Sequence, residues 1–342
     1  ANAYWLTPYA LFMGLKKMYG NSPWYEWPEQ NRNYDPEAVT DPEALEEADF
    51  QRFCQYRFHT LWQQLHKAAK DAGVNIIGDI PMYVSDDSAD VWAHHGLFTV
   101  DDQGRKTHCA GCPPDAFCLD GQHWGNPLYR WDTMKEDGYD WWMHRFARVF
   151  ELYDYVRLDH FRGFEAYWSI PEGEKPCAGQ WIKGPGTDLF RAAYERFGPL
   201  PVLAEDLGTM TPAVRGLLDA CGFPGTDVVQ FFDGDPMTDY RPEDGKIVYT
   251  GTHDNQTLAG WCKERYPDMD PEEAAGRLLE KALTCGANVI ILPLQDVLGL
   301  DDSARMNTPG TTGTNWQWQA SAEQIPEALQ KMRMLGDKIN KR

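Results

Sequence analysis

Short apolar, β-branched runs alternate along this chain with longer stretches whose apolar residues recur every three to four positions. The short runs predict six strands: Val74–Ile80, Tyr155–Phe161, Pro201–Leu207, Asp227–Phe232, Ile247–His253 and Asn288–Pro293. The longer stretches predict helices over 6–19, 43–72, 139–153, 187–197, 211–220, 256–264, 271–285 and 321–341. In the longest of these, Phe50, Phe53, Leu61 and Leu65 form the apolar side. Thr211, ahead of Pro212, has the residue types of a helix start. Two stretches, 81–135 and 163–186, lack either period and read as irregular insertions; the first is dense in Gly, Pro, Asp and Trp.

Strands separated by helices pair in parallel through right-handed crossovers. Nearly unbroken apolar runs fit strands buried on both faces. An open doubly wound sheet and a (β/α)8 barrel both satisfy this pattern, and the polar positions separate them. Asp79, Asp159, Glu205 and Asp254 stand at or just past the C-terminal ends of four different strands. An open sheet gathers its ligand groups at one switch point. Carboxylates delivered from several strand ends to one face are the pattern of a barrel site. No G-x-G-x-x-G follows a strand, so a dinucleotide site has no support. The expected fold class is therefore α/β, a (β/α)8 TIM barrel, although six strands are visible rather than eight. The first 73 residues contain no convincing strand.

Composition narrows the partners. With 42% apolar and 25% charged residues, the 342-residue chain can bury a core. Its 52 acidic residues against 32 basic ones argue against nucleic acid or an anionic membrane as the main partner. No apolar run reaches the roughly 20 residues of a membrane span. The 14 Trp, 16 Tyr and 15 Phe serve either a large aromatic core or stacking on flat neutral ligands such as sugars. Eight scattered cysteines suit reduced thiols in a cytoplasm. Cys109-Ala-Gly-Cys112, between His108 and Cys118, has no second Cys or His pair at matching spacing, so loop thiols are expected rather than zinc. No signal-peptide pattern opens the chain.

Three segments carry the chemistry. In Val156-Arg-Leu-Asp159, Arg157 and Asp159 share a strand face, and an Arg beside an Asp favours its ionised form. The pair reads either as a supported nucleophile or as an ion pair bracing the strands. In Ala204-Glu-Asp206, an acidic pair ends an apolar strand, where burial and like charge raise one pKa, as a general acid requires. The alternative is that Asp206 caps the next helix. In Gly251-Thr-His-Asp-Asn255, the His and Asp could bind sugar hydroxyls, hold a metal or belong to a triad. A triad lacks its G-x-S-x-G nucleophile turn. A metal site could draw on His253, Asp254, Asp159, His160 and Asp79, but the paired His of a barrel metallohydrolase's first strand are missing. Two carboxylates flanking a bond, with a third beside them, is the chemistry of retaining glycoside transfer.

These segments, with Gly78-Asp-Ile-Pro-Met-Tyr-Val84, Trp124-Gly-Asn-Pro-Leu-Tyr-Arg-Trp131, Ala304-Arg-Met-Asn-Thr-Pro-Gly310 and Asn315-Trp-Gln-Trp318, resemble the 4-α-glucanotransferases. This is the amylomaltase or disproportionating-enzyme family, glycoside hydrolase family 77, related to the α-amylases. The likeness covers essentially the whole chain. It implies an α-amylase-type (β/α)8 barrel with loop subdomains inserted at about 81–135 and 163–186. The chain would be one partial catalytic domain, 1–342, covering strands three to eight and lacking the first two. At roughly 42 residues per strand–helix unit, 342 residues are too few for eight such units.

The resemblance further implies Asp159 as nucleophile, Glu205 as acid/base and Asp254 as transition-state stabiliser, with no cofactor or metal. Arg157, His253, Asp79, Trp124, Asn126, Asn255, Phe117 and Asp115 would bind substrate, namely α-1,4-glucan oligosaccharides. Tyr129 and Trp131 are further candidates for stacking on glucose rings. Where the family commonly carries P-P-D-Y-F, this chain has Pro113-Pro-Asp-Ala116-Phe117, which removes one aromatic acceptor contact. The activity implied is transfer of glucan segments to the 4-hydroxyl of an acceptor. The alternatives are an amylase-type hydrolase, an inactive glucan-binding fragment that needs a preceding segment, and a metal hydrolase. Asn255-Gln-Thr257 is a glycosylation sequon beside Asp254. A glycan there would block the site, which adds to the expectation of a cytoplasmic protein.

Overall fold

The computed structural model describes residues 2–114 and 119–339, so Asp115, Phe117 and Cys118 lie outside the described residues. Ten strands are described: β1 Ile77–Ile80, β2 His108–Cys112, β3 Gln122–Pro127, β4 Tyr155–Leu158, β5 Ala166–Pro171, β6 Gln180–Lys183, β7 Val202–Ala204, β8 Thr226–Val228, β9 Ile247–Tyr249 and β10 Ile290–Ile291. Residues 1–223 and 224–342 form two compact units.

In the first unit β1, β4 and β7 make a parallel sheet in that order. The register sets Ile80, Leu158 and Ala204 level with one another, so the three strands end together. Each of the six sequence-predicted strands is present but shorter than its apolar run, because part of each run leaves the hydrogen-bonded ladder. Asp227–Phe232, for example, passes after Val228 into a 3-10 turn over Val229–Phe231. Around this sheet lies a core in which Trp24, Trp27, Trp92, Trp142, Phe98, Phe146, Phe161 and Phe164 are buried completely or nearly so. Trp142 packs edge-on against Phe164 at 5.4 Å and stacks on Trp131 at 6.1 Å. Much of the aromatic surplus is therefore core.

Two expectations are corrected here. The stretches read as irregular contribute a four-stranded antiparallel sheet, β3-β2-β5-β6, in which β2 from the first insertion pairs with β5 from the second. The supposed apolar side of the long helix is not buried. That helix, Pro42–Asp71, buries Ala44 and Ala48, while Phe50, Phe53, Leu61 and Leu65 are each more than half exposed. It meets the helix Ala3–Met18 through small residues, where a side chain on Gly14 would lie 2.2 Å from the Ala44 carbonyl oxygen. Further along, Trp62 Nε1 donates to the Leu152 carbonyl at 2.9 Å and His66 contacts Asp154, so polar groups rather than the leucines tether it.

In the second unit β10, β9 and β8 form a parallel sheet in that order. Helices Leu258–Arg265 and Pro271–Leu283 bury Leu258, Cys262, Leu278 and Leu279 in a core with Val248. Asp296, 1% exposed, accepts hydrogen bonds from the Thr250 hydroxyl at 2.6 Å and the Leu258 N–H at 2.7 Å. Burial pushes its carboxyl up to about 6. This anchor fixes both ends of the segment between β9 and the following helix. No helix among the described residues is long and apolar enough to cross a membrane.

Candidate active site

The first unit brings four of the expected site residues to the ends of β1, β4 and β7. Asp79 lies within β1 opposite Arg157 on β4, and Asp159 follows Leu158 directly. Arg157 Nη1 donates to both carboxylate oxygens of Asp79, at 3.0 and 2.9 Å, and to Asp159 Oδ1 at 2.9 Å. Burial opposes the charge on this guanidinium, but Asp159, Asp79 and Glu205 outweigh it and its pKa is raised. Arg157 thus remains a fixed cation shared between two carboxylates.

Glu205 follows Ala204 at the end of β7. Its Oε2 accepts the His160 N–H at 2.8 Å and its Oε1 accepts the Leu207 N–H at 2.9 Å. His160 aims that N–H from a left-handed conformation, φ 48° and ψ 47°. Burial, then the Asp159 charge, pushes the Glu205 carboxyl up to about 7, against the pull of Arg157 and the two N–H groups. The His160 ring is held near-perpendicular to Trp124 at 4.8 Å, and burial pushes its pKa down to about 4. It is therefore a neutral ring at physiological pH.

Trp124 is part-buried and donates to Gln122 Oε1. Asn126 donates to the Val84 carbonyl at 2.9 Å, tying β3 to the chain beyond β1. Tyr129 and Trp131 are corrected: at 2% and 8% exposure they belong to the core, and the Tyr129 hydroxyl is spent on the Met82 carbonyl at 2.6 Å. No ring face of either is open to a sugar. Cys109 is buried and accepts the Gly125 N–H at 3.0 Å, which places it at the bulge in the β2–β3 ladder.

The second unit carries the Thr252-His-Asp-Asn255 turn beyond β9. Asn255 Oδ1 accepts from the Thr252 N–H and hydroxyl, closing the turn. Asp254 is left half-exposed, with His253 Nε2 at 3.6 Å from its Oδ1. Asn307 Nδ2 donates to that same Oδ1 at 2.6 Å, and Arg305 Nη2 donates to the Asp254 carbonyl at 2.7 Å. The Trp316 ring packs on His253 at 5.1 Å. The sequence marked His160 only as one of the ligands a metal site could draw on, and it did not single out Arg305, Asn307 or Trp316 for the site. The last three lie in segments quoted only for their family likeness, and their spacing from Asp254 gave no local signal.

An α/β protein that sets an arginine-linked carboxylate beside a buried glutamate poised near neutrality, at adjacent parallel strand ends, has the layout of an enzyme working by carboxylate chemistry. The family model described as 4-alpha-glucanotransferase (glycoside hydrolase family 77) matches residues 1–324. The 4-alpha-glucanotransferase of Thermus thermophilus is 41% identical over 98% of this chain and 72% of its own length. The chloroplastic/amyloplastic 4-alpha-glucanotransferase of Solanum tuberosum is 37% identical over 92% of this chain and 58% of its own length. A solved amylomaltase from Streptococcus agalactiae, in complex with acarbose, superposes with a TM-score of 0.90 at 33% identity, over 98% of this chain and 72% of that one. The chain belongs to the 4-alpha-glucanotransferase family.

Proposed function

We propose that this protein transfers segments of α-1,4-glucan from a donor to the 4-hydroxyl of an acceptor by retaining double displacement. Asp159 attacks the anomeric carbon while Glu205 protonates the departing oxygen, and the glycosyl–enzyme ester forms on Asp159. Glu205, now a carboxylate, takes the proton from the acceptor 4-hydroxyl, which attacks the same carbon and frees Asp159. Asp254 supplies negative charge to the oxocarbenium-like transition states. Arg157 fixes the nucleophile, and His253, Asp79, Trp124, Asn126 and Asn255 are proposed sugar contacts, with Asp115 and Phe117 on the acceptor side.

The observation that carries this reading is Glu205. Two backbone N–H groups hold it in place, yet burial and Asp159 keep its pKa near the pH at which an acid must also serve as a base. Family membership supports the substrate class, as does the acarbose bound by the Streptococcus agalactiae relative. The six parallel strands are proposed to be strands three to eight of an α-amylase-type (β/α)8 barrel within a single catalytic domain, with the segments at 81–135 and 163–186 as its insertions. The cytoplasm is the proposed compartment, on the scattered free thiols.

The test uses the complete enzyme with maltotriose. Asp159→Asn is expected to abolish formation of glucose and longer dextrins, and the wild-type protein quenched with substrate is expected to carry a glycosyl adduct on the peptide containing Asp159. Wild-type-like transfer by the variant overturns the assignment. Products limited to short sugars would instead select the amylase-type hydrolase.

A further inference from the structure

We propose that Asn307 is the positioning residue of Asp254, holding the carboxylate in one orientation without neutralising it. The inference rests on the reading of Asp254 as transition-state stabiliser and extends it to a segment some fifty residues downstream. A half-exposed aspartate on a turn has free rotamers, and a stabiliser must present one oxygen in a fixed direction.

Four hydrogen bonds close a circuit that removes this freedom. Asn307 Nδ2 donates to Asp254 Oδ1 at 2.6 Å, and the Asn307 N–H donates to the His253 carbonyl at 3.1 Å. Arg305 Nη2 donates to the Asp254 carbonyl at 2.7 Å, and its Nε donates to the Asn307 carbonyl at 2.9 Å. Main chain and side chain of Asp254 are therefore gripped from one segment, and Oδ2 carries no hydrogen bond among the described residues. The grip is itself supported. Asn315 Oδ1 accepts the Thr308 N–H at 3.1 Å, and the Trp316 N–H donates to the Met306 carbonyl at 2.7 Å.

The donor type matters. Asp159 is hydrogen-bonded by a cation, Arg157, whereas the hydrogen bond to Asp254 comes from a neutral amide, with the His253 ring 3.6 Å from the same oxygen. The nearby Arg305 spends the two hydrogen bonds described on backbone carbonyls. A neutral donor orients the carboxylate and leaves its charge to act on the developing positive charge of the sugar; a guanidinium on the same oxygen would cancel much of it.

The experiment compares Asn307→Ala, Asn307→Asp, Asp254→Asn and Glu205→Gln in the complete enzyme, on maltotriose and on α-maltosyl fluoride. A fluoride leaving group needs no proton, so first-turnover fluoride release should recover in Glu205→Gln. It should not recover in Asn307→Ala or Asn307→Asp, because their defect lies in charge stabilisation. Both are expected to lose at least tenfold in kcat on both donors with KM within about threefold. Asn307→Ala should add less than twofold to the loss in an Asp254→Asn background. Should the alanine variant melt early, the isosteric Asn307→Asp decides alone. Wild-type kcat in a folded Asn307 variant, a loss confined to KM, or rescue by the fluoride donor overturns the positioning role. If Asp254→Asn itself transfers normally, the stabiliser assignment fails and Asn307 with it. An inactive Asp254→Asn beside fully active Asn307 variants sinks only the positioning role.

Discussion

Glu205 and His160 are neighbours whose burial acts on opposite charges. Glu205 has its pKa raised from 4.5 to about 7, so the folded protein binds its proton more tightly than the unfolded chain does. Its ionisation weakens the fold progressively as pH rises from about 4.5 to about 7. Glu205→Gln is therefore expected to raise the melting temperature at pH 8, by the equivalent of about 1–3 kcal/mol, and to change it little at pH 4. The same carboxyl sets the alkaline limb of activity: kcat/KM should fall as pH rises through about 7, because the acid is lost. His160, lowered from 6.5 to about 4, has the opposite sign. The fold loses stability as pH falls from about 6.5 through about 4, since the unfolded chain takes up that proton first. His160→Asn, which tolerates the left-handed backbone and does not titrate, should flatten the acid side of the pH–stability curve.

At the scale of elements, close approach rather than propensity decides the joints. A side chain on Gly111 of β2 would lie 2.1 Å from the Gln122 carbonyl oxygen of β3. Gly111→Ala is expected to cost about 2–3 kcal/mol, read as a lower urea midpoint with unchanged slope. This sheet also shows where the sequence stopped being legible. Its strands, such as His108-Cys-Ala-Gly-Cys112 and Gln122-His-Trp-Gly-Asn-Pro127, are poor in β-branched residues, carry Gly and Pro, and contain a bulge between Cys109 and Gly111. Nothing local marks them as strands, and the pairing that joins the two hairpins, β2 with β5, links insertions some fifty residues apart. The parallel strands were legible as apolar runs, although only β7 and β9 are buried at every position while β1 and β4 are buried at alternate ones. The chemical residues were legible because polarity breaks those runs at their ends. Thr211 was legible too: it accepts the Val214 N–H ahead of Pro212, as a cap should. Tyr129 and Trp131 were not, since an aromatic that stacks on sugar and one that fills a core look alike in sequence.

On the whole molecule the most unusual surface is the outer side of the helix Pro42–Asp71. Phe50, Phe53, Tyr56, Phe58, Leu61 and Leu65 are all exposed along it. Contiguous apolar surface of this kind drives association. The 342-residue chain is expected to bind a hydrophobic dye and to scatter light increasingly with concentration. Phe53→Glu combined with Leu61→Lys should suppress both while leaving the circular dichroism spectrum unchanged.

Asp159 and Glu205 hang from Leu158 and Ala204, which are register partners on adjacent strands. Their backbones start one interstrand spacing of a β-sheet apart, about 4.8 Å, and Arg157 on one carboxylate and two backbone N–H groups on the other hold the side chains from there. Glycoside-cleaving carboxylates about 5–5.5 Å apart retain anomeric configuration, while inversion needs roughly 6.5–9.5 Å to admit a water. In the proposed reaction the adjacency of the two carboxylates, and with it retention of configuration, starts from the hydrogen-bond ladder that sets their strands side by side.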